Sequence, residues 1–396
     1  MINCDGLYNR ENYEKVDGVN YFSDRKLHFR IIENGTILPH KQLPDTVGFG
    51  GIVDGRGNFI EESFIHPEAG HAYTPAEKIE QSPLTVIYLG MLVQIWGHCL
   101  TDNIKRVWFL KSDVYKKYFK NYPIVYVPMW AGIIPPFAKL LEILEVDVKN
   151  LYPIFKPTQF QNIVLPDESF FPEMGGGTAK LCTQEYIDTV EQIRSFALKN
   201  YAPLSQKNFY FFHGRNQIGE ERIAEYFKSK NYDVIRPEVL PLEEQLNILA
   251  NCENFASSLG SVAHNTLFVK DNSNALFFPR VPLEKNLNDY QNTINQIRNL
   301  NVAYVDISLS IFATGGNGTY CYIINEQLKK FFGDDWSGEY AEEDFITFLN
   351  YTCYAIAHGI KVNSEYSGYY SKIFPDFIGQ LKQRKDLMEK FGVNIN

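Results

Sequence analysis

The segment "NFYFFHGRNQIGEERIAEYFKSKNYDVIRP", residues 208–237, contains the pattern that decides the fold. The apolar run "NFYFFHG" is followed by the amphipathic segment "GEERIAEYFKSK" and then by the short apolar run "YDVIRP". This spacing predicts a strand, a helix and a second strand. The alternation continues through "PLEEQLNILAN", "ENFASS", "SVAHNTLFVK", "NALFFP", "LNDYQNTINQIRNL" and "VAYVDI". Strands that alternate with helices favour a parallel sheet covered on both faces.

An earlier series of the same kind begins near Leu84. Strands are predicted at "LTVIYLG", "PIVYVP" and "FQNIVLPD", with helices at "HCLTDNIKRVWFLKS", "PFAKLLEILE" and "TQEYIDTVEQIRSFALKN", the last with Thr183 as its N-cap. Two such series predict an α/β protein with two Rossmann-like parallel-sheet domains facing a cleft. We place the break in the polar stretch 199–208. The predicted parts are a small β-rich extension (1–80), two Rossmann-like domains (81–202 and 203–335) and C-terminal helices (336–396) that pack back on the domains.

Composition excludes some partners. The chain has 396 residues and a formal charge of −9, so it is a poor general binder of nucleic acid. Its six scattered cysteines contain no CxxC pair, which predicts reduced thiols and a cytoplasmic protein. We expect neither a signal peptide nor a membrane-spanning helix, because no long apolar run occurs. Peripheral membrane contact is left open.

Candidate ligand-binding residues follow the first strand of the second series. Arg215 and the adjacent Asn216 stand at the carboxyl end of that strand, the edge at which doubly wound sheets bind ligands. A guanidinium there could form bidentate hydrogen bonds with a phosphate or a carboxylate. Alternatively, Arg215 could be a surface arginine in a turn. Arg222, within the helix that follows, could also bind a ligand, but it is more simply explained as an i,i+3 partner of the acidic residues around it.

Two further candidate groups lie in the same series. Glu244 and Gln245 fall in the first turn of a predicted helix, where they could bond sugar hydroxyls or simply complement the helix dipole. The corner "FASSLGSVAHNTLF" would expose the backbone amides of Gly260 and Ser261 at a helix start, an arrangement that favours anions. In that corner His264 and Asn265 would occupy the first turn, facing either the ligand or the core.

One pair in the first series could carry acid–base chemistry. His98 and Asp102 are four residues apart, so on a helix they share one face. A carboxylate beside an imidazole can orient it or raise its basicity, and either group could act as a general base. The alternative is a structural hydrogen bond at a helix N-terminus. We predict no metal site, because the sequence contains no HxH, HExxH or strand-end DxD pattern.

These pieces, taken together, resemble glycosyltransferase family 61, whose members are inverting sugar transferases of the GT-B fold. The resemblance covers about residues 85–110 and 207–280. It rests on "GHCLTDNIKRVWFL", "FFHGRNQ", "NYDVIRPEVLPLEEQLNILANC" and "LGSVAHNTLF". Where family members usually carry histidine before the corner glycine, this chain has Leu259. One hypothesis is that His264 takes over the role of that histidine.

The resemblance implies that residues 81–202 bind the acceptor and that residues 203–335 bind a nucleoside-diphosphate sugar, with UDP as the expected nucleotide. Departing diphosphate would be stabilised without a metal or another cofactor, and Asp102 or His98 would be the base. The implied setting is capsular polysaccharide, lipopolysaccharide or another bacterial surface glycan, made in the cytoplasm on a glycan or lipid-linked acceptor at the inner face of the membrane. The implied donor site is made of Arg215, Asn216, Glu244, Gln245, Gly260, Ser261, His264 and Asn265.

Three alternatives stay open on the sequence alone. A nucleotide-sugar epimerase of the same fold would convert its donor without an acceptor. A fucosyltransferase-like enzyme would keep the fold and change the donor. A carbohydrate-binding protein without activity would bind nucleotide sugar or glycan and leave the donor intact. A homodimer is also left open.

Overall fold

The computed structural model describes residues 20–42, 48–66, 70–129, 133–173, 179–214, 217–280, 289–312, 319–362 and 374–393. These residues divide into two compact units, Asn20–Tyr201 and Ala202–Asn396. The division falls inside the polar stretch where the sequence predicts a break. We call them the N-terminal and the C-terminal unit and describe each by itself.

The N-terminal unit is built on one eight-stranded mixed sheet in the order β4-β3-β2-β8-β5-β6-β7, with β1 also paired to β8. Strand β5 pairs in parallel with β6 and β8, and β6 pairs in parallel with β7. Strands β1 and β2 run antiparallel along β8. The strands are β1 (Phe29–Glu33), β2 (Thr36–Lys41), β3 (Phe49–Val53), β4 (Phe59–Ile60), β5 (Glu80–Val93), β6 (Ile124–Met129), β7 (Leu151–Pro153) and β8 (Thr158–Pro166), with a separate ribbon of β9 (Phe170–Pro172) and β10 (Lys180–Cys182).

This sheet differs from the prediction in two respects. Residues 29–60, expected as part of a separate extension, are strands of the same sheet, and the sheet is mixed where a parallel one was predicted. Strands β1 and β2 join this sheet because one edge of β8 would otherwise be unpaired. Strands β1 and β2 together pair along it from Pro166 to Thr158, which satisfies backbone groups that would otherwise be exposed.

The helices of the N-terminal unit also differ from the pattern at one place. The single helix expected over residues 98–112 is instead α1 (Trp96–His98), a π-helical turn (Cys99–Asn103) and α2 (Val107–Lys111). The helix is interrupted where the side chains of Lys105 and Arg106 turn into the interior. The remaining helices are α3 (Pro135–Ile143) and α4 (Gln184–Asn200). Thr183 stands at the N-cap position of α4 but makes no side-chain capping hydrogen bond.

The C-terminal unit has the parallel sheet that the alternating pattern predicts. Its five strands are ordered β13-β11-β14-β15-β16, and all four pairings are parallel. The chain leaves β11 toward β13 on one side and then returns to β14 on the other side. The strands are β11 (Asn208–Phe211), β13 (Asp233–Ile235), β14 (Asn254–Ser258), β15 (Asn274–Phe278) and β16 (Asn301–Tyr304), with β12 (Gln217–Ile218) and β17 (Tyr320–Cys321) forming a separate parallel pair.

The described helices of this unit surround the sheet and extend to the C-terminal region. The predicted tail helices belong to this unit, where the cluster around Leu309, Phe345 and Phe377 buries them. Among the described residues, no helix has both the length and the apolarity to cross a membrane. The helices are α5 (Glu220–Ser229), α6 (Leu242–Asn251), α7 (Asp289–Ile297), α8 (Glu326–Phe331), α9 (Glu342–Ala357), α10 (Phe374–Gln383) and α11 (Lys385–Phe391).

One predicted helix of the second series is shorter than expected. The segment "SVAHNTLFVK" forms a six-residue 3-10 helix, Ala263–Phe268. All six residues are buried, and the Thr266 hydroxyl donates to the carbonyl of Ala263. Side-chain bonding to the preceding turn competes with α-helical continuation. A six-residue 3-10 turn has a smaller dipole than the helix that the sequence predicts, and the anion site at its N-terminus stays a prediction.

Candidate functional site

The π-helical turn after α1 holds an imidazole–carboxylate pair. Nδ1 of His98 lies 2.6 Å from Oδ2 of Asp102, and the Thr101 hydroxyl donates to the same oxygen at 2.9 Å. The His98 side chain is 31% exposed, whereas that of Asp102 is 5% exposed. The π-helical turn moves these side chains out of regular α-helical positions, and such turns are frequent at functional sites. The geometry leaves Nε2 of His98 as the open atom of the pair.

Asp102 is held in its charged form. Burial by itself raises the pKa of this carboxyl, but the His98 hydrogen bond and the nearby Lys105 ammonium outweigh burial and leave the pKa well below its usual range. A charged Asp102 fixes the tautomer of His98 with the proton on Nδ1. Nε2 can then accept a proton from an approaching hydroxyl.

Lys105 also belongs to a buried ionic cluster beneath the pair. Its ammonium lies 2.7 Å from Oε1 of Glu168, and Nη2 of Arg106 lies 2.9 Å from the same oxygen. Lys105 donates to the carbonyl of Ile65 as well, at 3.0 Å. With Asp102 included, two buried cations meet two buried carboxylates, so the cluster is balanced in charge. This support comes from Glu168, in the segment after β8, and from Ile65, in the segment after the 3-10 turn Glu61–Ser63. Both are remote in sequence from Lys105.

The sequence analysis missed His66, which also lies at this site. Its ring centroid is 5.9 Å from that of His98, in an edge-to-face orientation, and a positive charge on this ring would help to lower the pKa of Asp102. No local pattern connects His66 to His98. Only the fold of the N-terminal unit brings the two rings together.

The C-terminal unit has a topological switch point between β11 and β14, the position at which open α/β sheets bind ligands. Glu220, the first residue of α5, is fully buried there. Its carboxylate accepts from the Tyr210 hydroxyl at 2.9 Å and from the backbone amides of residues 213 and 214 at 3.0 and 2.9 Å. Burial raises the pKa of Glu220, while these hydrogen bonds oppose the rise. Glu220 therefore fixes the loop that leaves β11.

Gln217 connects this loop to β14. In the amide orientation that satisfies both neighbours, its nitrogen donates to Glu220 at 2.8 and 3.0 Å and its oxygen accepts from the Ser258 hydroxyl at 3.1 Å. Ser258 is the last residue of β14. The carboxyl ends of β11 and β14 are thus joined by one polar network.

Arg280 extends this network to β15 and was also missed by the sequence analysis. It follows β15 by two residues, and its guanidinium lies 3.5 Å from the Ser258 hydroxyl and 5.4 Å from the centre of the Tyr320 ring. No carboxylate among the described residues forms an ion pair with it. A partly exposed, unpaired guanidinium at the switch point is suited to a phosphate or a carboxylate.

Gly260 makes room for that guanidinium. Its φ is +114°, a conformation that side chains rarely adopt, and a Cβ atom there would lie 2.6 Å from Nη1 of Arg280. The corner sequence predicts that a ligand approaches the backbone amide of Gly260, and this stays a prediction. The structure shows in addition that Gly260 allows the close packing of Arg280.

The other predicted site residues are distributed as follows. Arg215 and Asn216 lie outside the described residues. Ser261 follows Gly260 at the corner. Glu244 is exposed on α6, whereas Gln245 is buried and donates to the carbonyls of residues 237 and 240 at 2.7 and 2.9 Å. Gln245 therefore anchors the loop before α6.

His264 and Asn265 face the interior of the unit. Both are buried, and Nδ1 of His264 lies 2.9 Å from Oε1 of Gln291 on α7. Leu259 is buried too, and its amide donates to the carbonyl of Phe278 at 2.8 Å. Arg222 pairs with Glu343 and Asp344 of α9, at 3.2 and 3.4 Å, instead of with acidic neighbours on its own helix.

Within the ranges that the structure describes, no group of three or more His, Cys, Asp or Glu side chains is arranged to hold a metal ion. The five cysteines that the structure describes form no disulfide, and four of them are buried.

The C-terminal unit thus has a polar switch point, a common ligand-binding position, and the N-terminal unit has an oriented histidine that could act as a general base. Residues 96–276 match the family model for Glycosyltransferase 61, a span that contains both the His98 pair and the β11–β14 switch point. This segment belongs to glycosyltransferase family 61, and the function implied at the level of the family is that of a glycosyltransferase. No curated protein matches the chain significantly.

Proposed function

We propose that this protein is an inverting glycosyltransferase that moves a sugar from a nucleoside-diphosphate donor to a hydroxyl of a glycan acceptor. The observation that carries the proposal is the His98–Asp102 pair, a partly exposed imidazole held at 2.6 Å by a buried, charged carboxylate. An inverting transfer requires one base of this kind, positioned where an acceptor hydroxyl can reach it.

In the proposed reaction Nε2 of His98 removes the proton of the acceptor hydroxyl. The acceptor oxygen attacks the anomeric carbon while the bond from that carbon to the phosphate oxygen breaks, and the nucleoside diphosphate leaves with the electron pair. Asp102 orients the imidazole and stabilises the imidazolium that forms. We assign His98 as the base and Asp102 as the residue that orients it, because Asp102 is almost fully buried.

The donor site is proposed at the β11–β14 switch point of the C-terminal unit. Negative charge develops on the departing diphosphate, and a guanidinium that is already positioned stabilises that charge without further reorganisation. Arg280 is such a group, because no described carboxylate lies within ion-pair distance of it, the nearby Glu220 carboxylate is already bonded to Tyr210 and to backbone amides, and Gly260 gives it space. Arg215, Asn216 and the backbone at Ser261 complete the proposed contacts, with Glu244 as a candidate for the ribose or sugar.

The proposal also covers the donor nucleotide, the metal requirement and the acceptor. We propose a UDP-linked donor, a reaction that needs no metal, and a lipid-linked or glycan acceptor in bacterial surface-polysaccharide synthesis at the cytoplasmic face of the membrane. We further propose that the two units correspond to the acceptor and donor halves of a GT-B enzyme. Activity in the presence of a chelator tests the metal requirement directly.

The donor site is tested by thermal-shift and calorimetric titration with UDP, GDP, CMP and their sugars. We expect one nucleotide to stabilise the protein. The Arg280→Ala variant should bind that nucleotide about 10- to 100-fold more weakly, since a charge-assisted hydrogen bond contributes roughly 1.5–3 kcal/mol. The matched control is Arg384→Ala, which removes an arginine that is already paired with Glu342 and Asp386. Equal affinity in both variants would remove Arg280 from the donor site.

The base is tested with transfer assays on the nucleotide sugar that binds. His98→Ala and Asp102→Asn should lower the transfer rate by about 10²- to 10⁴-fold while donor affinity stays near that of the native protein. Full activity in His98→Ala would show that His98 is not the base. Conversion of the donor without an acceptor would indicate an epimerase instead.

A further inference from the structure

A short exposed segment of the N-terminal unit has no function in the proposed reaction. It is "VYKKYFKNY", residues 114–122, which we call the 114–122 strip. Its π-helical turn, Tyr115–Phe119, is fixed from below by aromatic contacts. The Phe119 ring lies 5.4 Å from that of Phe29 and 5.8 Å from that of Phe109, and the Tyr115 ring lies 6.0 Å from that of Phe109. The inner row of the strip is therefore anchored to the unit.

The neighbouring row of the strip points outward and is apolar. Val114, Tyr118 and Tyr122 are 40%, 60% and 38% exposed, and they recur at intervals of four residues. Because Tyr115 and Phe119 hold the inner face, these three side chains cannot turn inward without breaking the aromatic contacts. Exposed apolar side chains that recur on one face can mark an interaction surface.

Lysines flank this apolar row. Lys116, Lys117 and Lys120 are exposed, and none forms an ion pair with a described carboxylate. Three lysines and one aspartate give residues 113–122 a net charge of +2, in a chain whose formal charge is −9. The ammonium of Lys117 lies 4.8 Å from the Tyr118 ring, so charge and aromatic surface are adjacent.

The surface continues onto the edge strand β7. The side-chain amide of Asn150 donates to the carbonyl of Tyr122 at 3.2 Å, and Tyr152 of β7 is exposed. Two acidic groups lie near the strip. Glu145 pairs with Lys111 at 3.1 Å and also feels the charge of Lys116, while Asp147 acts electrostatically on Tyr115. Neither forms an ion pair with a lysine of the strip, whose own residues keep an excess of positive charge.

We propose that the 114–122 strip is a docking surface for an anionic phospholipid bilayer. Tyrosine rings favour the boundary between water and acyl chains, and lysines beside them are attracted to anionic headgroups. A soluble polyanion would account for the lysines but not for the apolar row. The inference is independent of the identity of the donor and of the base.

The test is co-sedimentation of the full chain with vesicles of phosphatidylcholine alone and of phosphatidylcholine mixed equally with phosphatidylglycerol. We expect binding to the mixed vesicles only, and weaker binding at high salt. The variant K116Q/K117Q/K120Q should lose on the order of 100-fold in partitioning, because each lysine near an anionic surface contributes about fivefold. A matched control is K361Q/K382Q/K385Q, which changes the net charge equally at exposed lysines of the C-terminal unit.

A second variant separates insertion from attraction. Tyr118→Ser removes the most exposed ring of the row without changing charge, and it should reduce binding to mixed vesicles about tenfold, while Tyr118→Trp should restore it. Thermal unfolding shows whether the variants remain folded. The proposal is overturned if the native protein binds neither kind of vesicle, if both lysine triples bind equally, or if Tyr118→Ser binds as the native protein does. Binding of a protein partner that depends on the strip, without vesicle binding, would also overturn it.

Discussion

The buried ionic cluster of the N-terminal unit gives a prediction that does not depend on the proposed reaction. Oε1 of Glu168 accepts from Lys105 at 2.7 Å and from Arg106 at 2.9 Å, and all three side chains are buried. Arg106 additionally donates to the carbonyls of Pro166 and Glu62. Replacement of Glu168 by glutamine keeps the shape and removes the one carboxylate that both cations share.

The magnitude follows from the burial of the two cations. Removal of one member of a buried ion pair costs about 3–5 kcal/mol, since the remaining charge is left without compensation. For a unit of this size, each kcal/mol lowers the unfolding temperature by about 2–4 °C. The Glu168→Gln variant should therefore unfold about 10 °C lower. The matched control is Glu145→Gln, which removes the partner of Lys111 from an exposed ion pair and should have almost no effect.

The assay is calorimetry of the full chain, combined with hydrogen exchange to identify which unit melts. Two compact units can unfold separately, so a single transition temperature would be ambiguous. We expect the loss of stability to be confined to the N-terminal unit, with faster exchange in β5 and β8. If Glu168→Gln unfolded at the same temperature as Glu145→Gln, the argument that these cations need their shared carboxylate would be refuted.

Three further predictions concern the C-terminal unit. Gly260→Ala should move the guanidinium of Arg280 and thereby weaken nucleotide binding. It should also lower the free energy of unfolding by about 1–3 kcal/mol, because alanine disfavours the positive φ of this position. Unchanged nucleotide affinity would contradict the inference that Gly260 positions Arg280. Burial raises the pKa of Asp306 to about 7, so the folded state retains a proton that the unfolded state loses near pH 4. Its contribution to stability is present below about pH 4 and is lost as the pH rises to about 7. Asp306→Asn should therefore be more stable than the native protein above pH 7, by up to about 4 kcal/mol. Urea unfolding of both proteins at pH 5 and pH 8 measures this difference. Equal stability of the native protein and the variant at both pH values would contradict the prediction. Gln245→Ala should remove two hydrogen bonds of a buried side chain and lower the free energy of unfolding by about 1–3 kcal/mol, measured with urea. Hydrogen exchange should be faster in the loop before α6, which Gln245 anchors.

The sequence by itself determined the features that depend on local periodicity. Apolar runs and amphipathic segments between residues 208 and 307 were sufficient for the parallel sheet of the C-terminal unit, since each element's pattern is written within its own residues. The spacing of His98 and Asp102 likewise predicted their contact, because side chains four residues apart share one face of an α-helix and stay close in this π-helical turn.

Tertiary structure decided the features that depend on distant partners. Strands β1 and β2 complete the edge of β8, a pairing between residues more than a hundred positions apart that no local pattern encodes. Arg280 meets Gly260 only because β14 and β15 are neighbours, and Glu168 meets Lys105 only because β8 ends beside the interrupted helix. In each case packing sets the contact, and packing is a property of the whole unit, whereas periodicity is a property of one segment.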